Sequence, residues 1–393
     1  MSVSNHISVC TLAKSCLLIL TFGLANLAQA CVTADVVALD QVFYYNRLGA
    51  MNPSGMIFAL KRDVVSSTSG SGLTAGNVRL RSDKRPRPLV LRVNEGDCLT
   101  VNFTNLLNPI VPPPAAPHVA GAVEPVVADP AGAENSDPAT RSASFHVMGM
   151  QASDIISDAS NVGNNTSGLA APGESKTYTF YAQKEGTYFA YSTAATTGGE
   201  GNGGSLAHGL FGAVNVENKG SEWYRSQVTE QDMTLATTSS TLSNGKYYPV
   251  IDYNAVYPAV ETRKLPEQLI LTSNPDGSTK ATMSSLSSHI GFIAADTGKT
   301  LVGTTGKARI DEVFADGSAK VTVIDAFASE IPPYSWKIEG SVSHPLAGIP
   351  ILNMRDSSGS IVHSDLNAII TGSTGGAFDA TEEPKNAIYP DRT

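Results

Sequence analysis

The sequence predicts an all-β chain: a β-sandwich followed by a second β region. Apolar and polar residues alternate with the period of a strand in several short stretches. Compact turns rich in Gly, Asp and Glu separate those stretches. Amphipathic helical periodicity is nearly absent, and only 16% of the 393 residues are charged, too few for long helices laced with ion pairs.

Residues 1–30 read as an export signal. Lys14 gives a weak positive region, residues 17–24 an apolar stretch too short to span a bilayer, and Ala28-Gln29-Ala30 a small-x-small cleavage site. Cys31, directly after it, leaves acylation of that thiol open as an alternative. Cys10 and Cys16 fall within the signal, so Cys31 and Cys98 remain, and in an exported protein the simplest expectation is a disulfide between them.

Leu89, Leu91 and Val93 alternate with Val90, Arg92 and Asn94, and Glu95-Gly96-Asp97 turns the chain into a second alternating run, Leu99, Val101 and Phe103. The pattern recurs at 176–182 and 187–192 around Lys184-Glu185-Gly186, and 210–216 reads as one more strand. Residues 108–139 are Pro- and Ala-rich and predict a surface excursion, and 196–204 form a Gly-rich loop. The polar stretch 219–245 reads as a linker, and a second β domain is expected at 246–372. Within it, Asp316-Gly317 sits between two strand-like runs as a hairpin turn. Residues 373–393 look like a linker or a cut-short end.

Length and charge narrow the functional classes. At about 150 residues per domain, the chain holds two or three domains. The net charge is −9 and no run of basic residues concentrates the 27 Lys and Arg, which argues against a nucleic-acid partner. Gly199-Glu200-Gly201-Asn202-Gly203-Gly204 satisfies a dinucleotide fingerprint, but a strand follows it where that motif needs a helix, so a flexible loop is expected. No Ser stands in a Gly-x-Ser-x-Gly setting. Asp365 near His363, and Glu382-Glu383, read as solvated surface.

Five segments in order resemble the first cupredoxin domain of a multicopper oxidase, with the closest likeness to large bacterial members associated with manganese oxidation. They are Leu89-Val90-Leu91-Arg92-Val93-Asn94-Glu95-Gly96-Asp97, Ser144-Phe145-His146-Val147-Met148-Gly149-Met150-Gln151, Ala171-Pro172-Gly173-Glu174, Gly186-Thr187-Tyr188-Phe189 and Gly209-Leu210-Phe211-Gly212-Ala213-Val214-Asn215-Val216. The match spans 31–217 and returns weakly at 246–258 and 345–372, leaving 259–344 as an insertion in the second domain. The resemblance implies a cupredoxin-like (plastocyanin-like) Greek-key sandwich over 31–218. It also implies copper as cofactor, oxidation of metal ions such as Mn(II) coupled to dioxygen reduction, and a periplasmic or extracellular location. The partners it implies are downstream cupredoxin domains of the same oxidase, the reading frame being cut short at Thr393.

The same resemblance exposes departures. Such oxidases use a Cys-containing mononuclear site and four His-x-His pairs, because alternation on a strand places a His-x-His pair on one face. This sequence has seven His and no His-x-His or His-Cys-His. Where the first pair would fall, His146 stands but Met148 replaces its partner, and Tyr191-Ser192-Thr193 occupies the place of the other pair. The chain is therefore expected to be non-catalytic alone. A copper-free binding or surface module on the same scaffold is the competing reading. One soft metal site is still conceivable. His146, Met148 and Met150, spaced i, i+2, i+4, would project from one strand face, and His208 could complete a Cu(I) site. The competing reading buries Met148 and Met150 in the core and gives His146 a backbone carbonyl partner.

Overall fold

The computed structural model describes residues 31–45, 51–82, 84–109, 138–199, 202–225, 228–284 and 291–364. Residues 1–30, residues 110–137 of the Pro-rich stretch, Glu200 and Gly201, His118, His289, and the chain from Asp365 onward lie outside them.

Nine strands build the first unit: β1 (Cys31–Asp40), β2 (Met56–Leu60), β3 (Leu89–Asn94), β4 (Cys98–Asn105), β5 (His146–Val147), β6 (Gln151–Ala152), β7 (Ser175–Tyr181), β8 (Gly186–Tyr191) and β9 (Phe211–Glu217). They form a five-stranded sheet, β6-β7-β4-β1-β2, and a four-stranded sheet, β3-β9-β8-β5. Each sheet holds one parallel pair, β1 with β4 and β3 with β9, among antiparallel neighbours. This mixed order over two sheets is the cupredoxin-like Greek-key arrangement. The turns at Glu95-Gly96-Asp97 and Lys184-Glu185-Gly186 are corners between the sheets: β3 and β8 belong to one, β4 and β7 to the other. Gly96 takes a φ of 90° at its corner, where an L side chain would be strained.

Alternation puts Leu89, Leu91, Val93, Leu99, Val101 and Phe103 inward, all buried. Phe58 makes edge-on contacts with Phe103 (6.1 Å) and Phe145 (5.2 Å), and the buried Tyr178 hydroxyl donates to the Gly168 carbonyl at 2.6 Å. Cys31 and Cys98 are the first rung of the β1/β4 ladder and form a disulfide.

Beyond the sandwich, the described residues of 219–245, the stretch expected to be a linker, include a helix and a strand. They carry α1 (Glu230–Leu235) and β10 (Thr237–Ser243), which pairs with β11 (Lys246–Ile251). A polar sequence conceals the helix because its start rests on a cap: the Thr229 hydroxyl accepts from the Asp232 backbone N–H at 3.0 Å. Ala236 packs with Tyr257, Ile351 and Leu352 in a small core.

A further eight strands are β12 (Val260–Lys264), β13 (Leu269–Ser273), β14 (Thr279–Met283), β15 (Thr300–Gly303), β16 (Lys307–Val313), β17 (Ala319–Asp325), β18 (Glu330–Ile331) and β19 (Trp336–Ser343). They form one eight-stranded sheet in the order β12-β19-β15-β16-β17-β14-β13-β18, around Trp336, Phe292, Leu301, Ile310 and Ile338. Every pairing in it is antiparallel, unlike the sandwich, so a cupredoxin-like order does not extend to these strands. Asp316-Gly317 turns β16 into β17 as expected, with the Ser318 N–H donating to the Asp316 carboxylate at 2.9 Å.

On either side of this sheet the chain meets itself. Tyr257 N–H donates to the Ile349 carbonyl at 2.8 Å, and residues 359–361 then return to the N-terminal part of β1, beyond its pairing with β2, where Thr33 N–H donates to the Gly359 carbonyl and Ile361 N–H to the Thr33 carbonyl. Ile361 thereby joins the sandwich core.

Candidate functional site

The expected metal-binding positions lie at the β5 end of the four-stranded sheet. His146 pairs across the ladder with Tyr191, so the two stretches where the resemblance expects imidazole pairs are adjacent in space. Their rings meet edge-on at 5.2 Å. His146 Nδ1 lies 2.8 Å from the Asp158 carbonyl oxygen, which can only accept, so Nδ1 carries the hydrogen. The carbonyl thus fixes the tautomer and the ring orientation.

The i, i+2, i+4 alternation does not persist. β5 ends at Val147, and the chain turns through Met148-Gly149-Met150, with Gly149 at a φ of 89° and the Met150 N–H donating back to the Val147 carbonyl at 3.3 Å. Met148 is 53% exposed whereas Met150 is buried in the sandwich core. A turn cannot keep a strand's two-residue period, so the two thioethers do not share a face. His208 is buried in the turn before β9, its backbone carbonyl accepting from Met56 N–H at 2.6 Å.

Ser192 and Thr193 are committed to structure. The buried Ser192 hydroxyl accepts from the Ser144 N–H at 3.2 Å, and the Thr193 and Ser144 hydroxyls lie 2.8 Å apart. Among the described residues no group of three or more His, Cys, Asp or Glu side chains could hold a metal ion. One imidazole flanked by a phenol, an exposed thioether and hydroxyls does not fit the copper cluster that the resemblance implies.

What this face carries instead is aromatic. Tyr191 stacks on Phe189 at 5.4 Å and Phe189 on Phe211 at 6.3 Å, with Phe189 41% exposed beside Met148. The Met148 N–H donates to the Phe189 carbonyl at 2.8 Å, which ties the turn after β5 to this strand. The signal was available in Tyr188-Phe189-Ala190-Tyr191: a strand apolar at consecutive positions offers an apolar surface on both sides of its sheet.

No family model and no curated protein matches this chain. Among solved structures it is similar to a multi-copper oxidase from Pseudomonas thermotolerans at 11% identity and a TM-score of 0.29, over 79% of this chain and 58% of that one. It is also similar to a copper nitrite reductase from Nitrosomonas europaea at 15% identity and a TM-score of 0.27, over 82% and 98% of the two chains. A third likeness is to the multicopper oxidase mgLAC, at 14% identity and a TM-score of 0.27 over 80% and 77%. At such scores the fold assignment stays with the strand order itself.

Proposed function

We propose that the chain is a cupredoxin-type scaffold that has given up copper ligation and serves as the docking, non-catalytic part of an exported multicopper-oxidase-like protein. The observation that carries this reading is the outer face of the four-stranded sheet. At and beside the positions where imidazole pairs would ligate copper it presents a continuous row of rings, His146, Tyr191, Phe189 and Phe211, that is partly exposed. Such a surface gains free energy by covering, and an aromatic row is a frequent centre of protein interfaces. Copper-bearing cupredoxin domains are its partner in this reading. Oxidation of metal ions such as Mn(II), with dioxygen as acceptor, belongs to those domains. The Cys31–Cys98 disulfide supports export to an oxidising compartment. Among the described residues no helix is long and apolar enough to cross a membrane.

A second reading, a copper-free binding or surface module, draws on the same exposed face. One measurement tests both readings and a second parts them. In the first, the chain supplied with Cu(II), Mn(II) and dioxygen is expected to produce no oxidised manganese, and turnover above free copper would overturn both readings. The second reads the gene beyond codon 393: an in-frame His-Cys-His supports docking within one oxidase, whereas a stop codon and no adjoining oxidase gene favour the free module.

A further inference from the structure

We propose that the open cleft between the start of β1 and the chain at residues 348–359 binds a small hydroxycarboxylate, with Arg355 taking its carboxylate and the side chains of Asn254, Asn353 and Ser357 meeting its hydroxyls. The cleft holds about 750 Å³, within the usual range of small-molecule sites, and Cys31, Val32 and Val256 line it together with those residues. Main-chain pairing fixes its walls. Thr33 N–H donates to the Gly359 carbonyl at 3.1 Å, and Val256 and Pro350 form an antiparallel bridge. A site held by backbone bonds is preformed, so little ordering is left to be done on binding.

Arg355 is the group that calls for an anion. Its guanidinium carbon stands 5.1 Å from the centroid of the Trp223 ring, and Trp223 is itself buried. Stacking on an indole face holds the planar fork in place without using any of its N–H donors. The backbone beneath is held too: Arg355 N–H donates to the Asn353 carboxamide oxygen at 3.0 Å, Arg355 bridges to Ile361, and Met354 N–H donates to the Trp223 carbonyl at 3.0 Å. Among the described residues no hydrogen bond or ion pair engages the guanidinium. A carboxylate accepts two parallel bonds from such a fork.

Two acids lie nearby, and neither takes the fork. Asp97 feels the charge of Arg355 but forms no ion pair with it. Asp356 lines the cleft, yet its Oδ1 accepts from Ser358 N–H at 2.9 Å, from the Ser358 hydroxyl at 2.6 Å and from Ser360 N–H at 3.0 Å. That oxygen closes its own turn, which leaves Oδ2 to accept from a ligand hydroxyl. The rest of the polar lining suits hydroxyls as well. Among the described residues the Asn254 carboxamide, the Asn353 Nδ2 and the Ser357 hydroxyl make no hydrogen bond. Together they offer both donors and acceptors, which a bare carboxylate cannot use and a hydroxyl-bearing one can.

The test uses the full chain and sodium gluconate. Calorimetric titration at fixed ionic strength is expected to give a saturable isotherm, absent with sorbitol, which has the hydroxyls alone, and weaker by about tenfold or more with acetate, which has the carboxylate alone. Arg355→Gln should weaken gluconate binding about tenfold or more, and Arg355→Lys, which keeps the charge without the fork, should not restore it. Should these variants fail to fold, the wild-type chain is treated with an arginine-specific dicarbonyl reagent, and gluconate is expected to protect Arg355 from adduct formation while sorbitol does not. No isotherm with gluconate, an isotherm unchanged in Arg355→Gln, or adducts at Arg355 indifferent to gluconate would overturn the proposal. Acetate, sorbitol or alanine bound as tightly as gluconate would overturn the assignment to a hydroxycarboxylate.

Discussion

Cutting the Cys31–Cys98 cross-link by replacing both residues with Ala tests how the sandwich is held. The two half-cystines are 67 residues apart, so the disulfide closes a loop holding β1 to β4. The loop-entropy relation for that separation gives about 4 kcal/mol of stabilisation, acting through the unfolded chain. In the folded state the change is local, because the β1/β4 ladder continues from Cys31↔Cys98 to Ala38↔Asn105 without the sulfur atoms. For a unit of this size, about 4 kcal/mol corresponds to a fall in Tm of about 8–16 °C. Both Trp residues, Trp223 and Trp336, lie outside the nine sandwich strands, so fluorescence would follow the wrong part of the chain. Amide hydrogen exchange of β1 and β4 peptides under urea reports the sandwich directly. A loss below about 1 kcal/mol there would refute the reasoning.

Three further outcomes follow from the same structure. Trp336→Ala empties the centre of the eight-stranded core and removes the indole donor to the Glu267 carbonyl at 2.7 Å; it should cost about 3–5 kcal/mol, read by loss of near-ultraviolet dichroism. His363 is held neutral chiefly by burial, so the unfolded chain takes up its proton at higher pH than the folded one. Its contribution is whole above about pH 6.5 and is lost as pH falls below that value toward the folded pKa; Tm against pH should decline there, less steeply in His363→Gln. Met148→Lys on the outer sheet face should shift the stability of the isolated chain by no more than about 0.5 kcal/mol in urea unfolding, because the side chain is already largely exposed.

Much of the sandwich was legible because its strands obey a single rule. Leu89 through Phe103 alternate cleanly, the Gly-containing corners punctuate them, and the two cysteines left by the export reading fall on neighbouring strands. The strand spacing expected of His146, Met148 and Met150 stops at Met148-Gly149-Met150, where apolar residues at alternating positions imitate a strand while the chain turns. Residues 219–245 looked featureless because α1 depends on a side-chain cap and on burial against residues more than a hundred positions away. The ion pair of Lys84 with Asp63 was illegible for a related reason: tertiary packing joins the two residues, and no local pattern links them.

The most direct test of the central claim is a competition titration of the purified chain with Cu(I) against a chromophoric chelator. The account predicts that the chelator keeps its copper and that His146→Ala behaves like the wild type. Stoichiometric copper withdrawn by the wild-type chain and released in His146→Ala would contradict it.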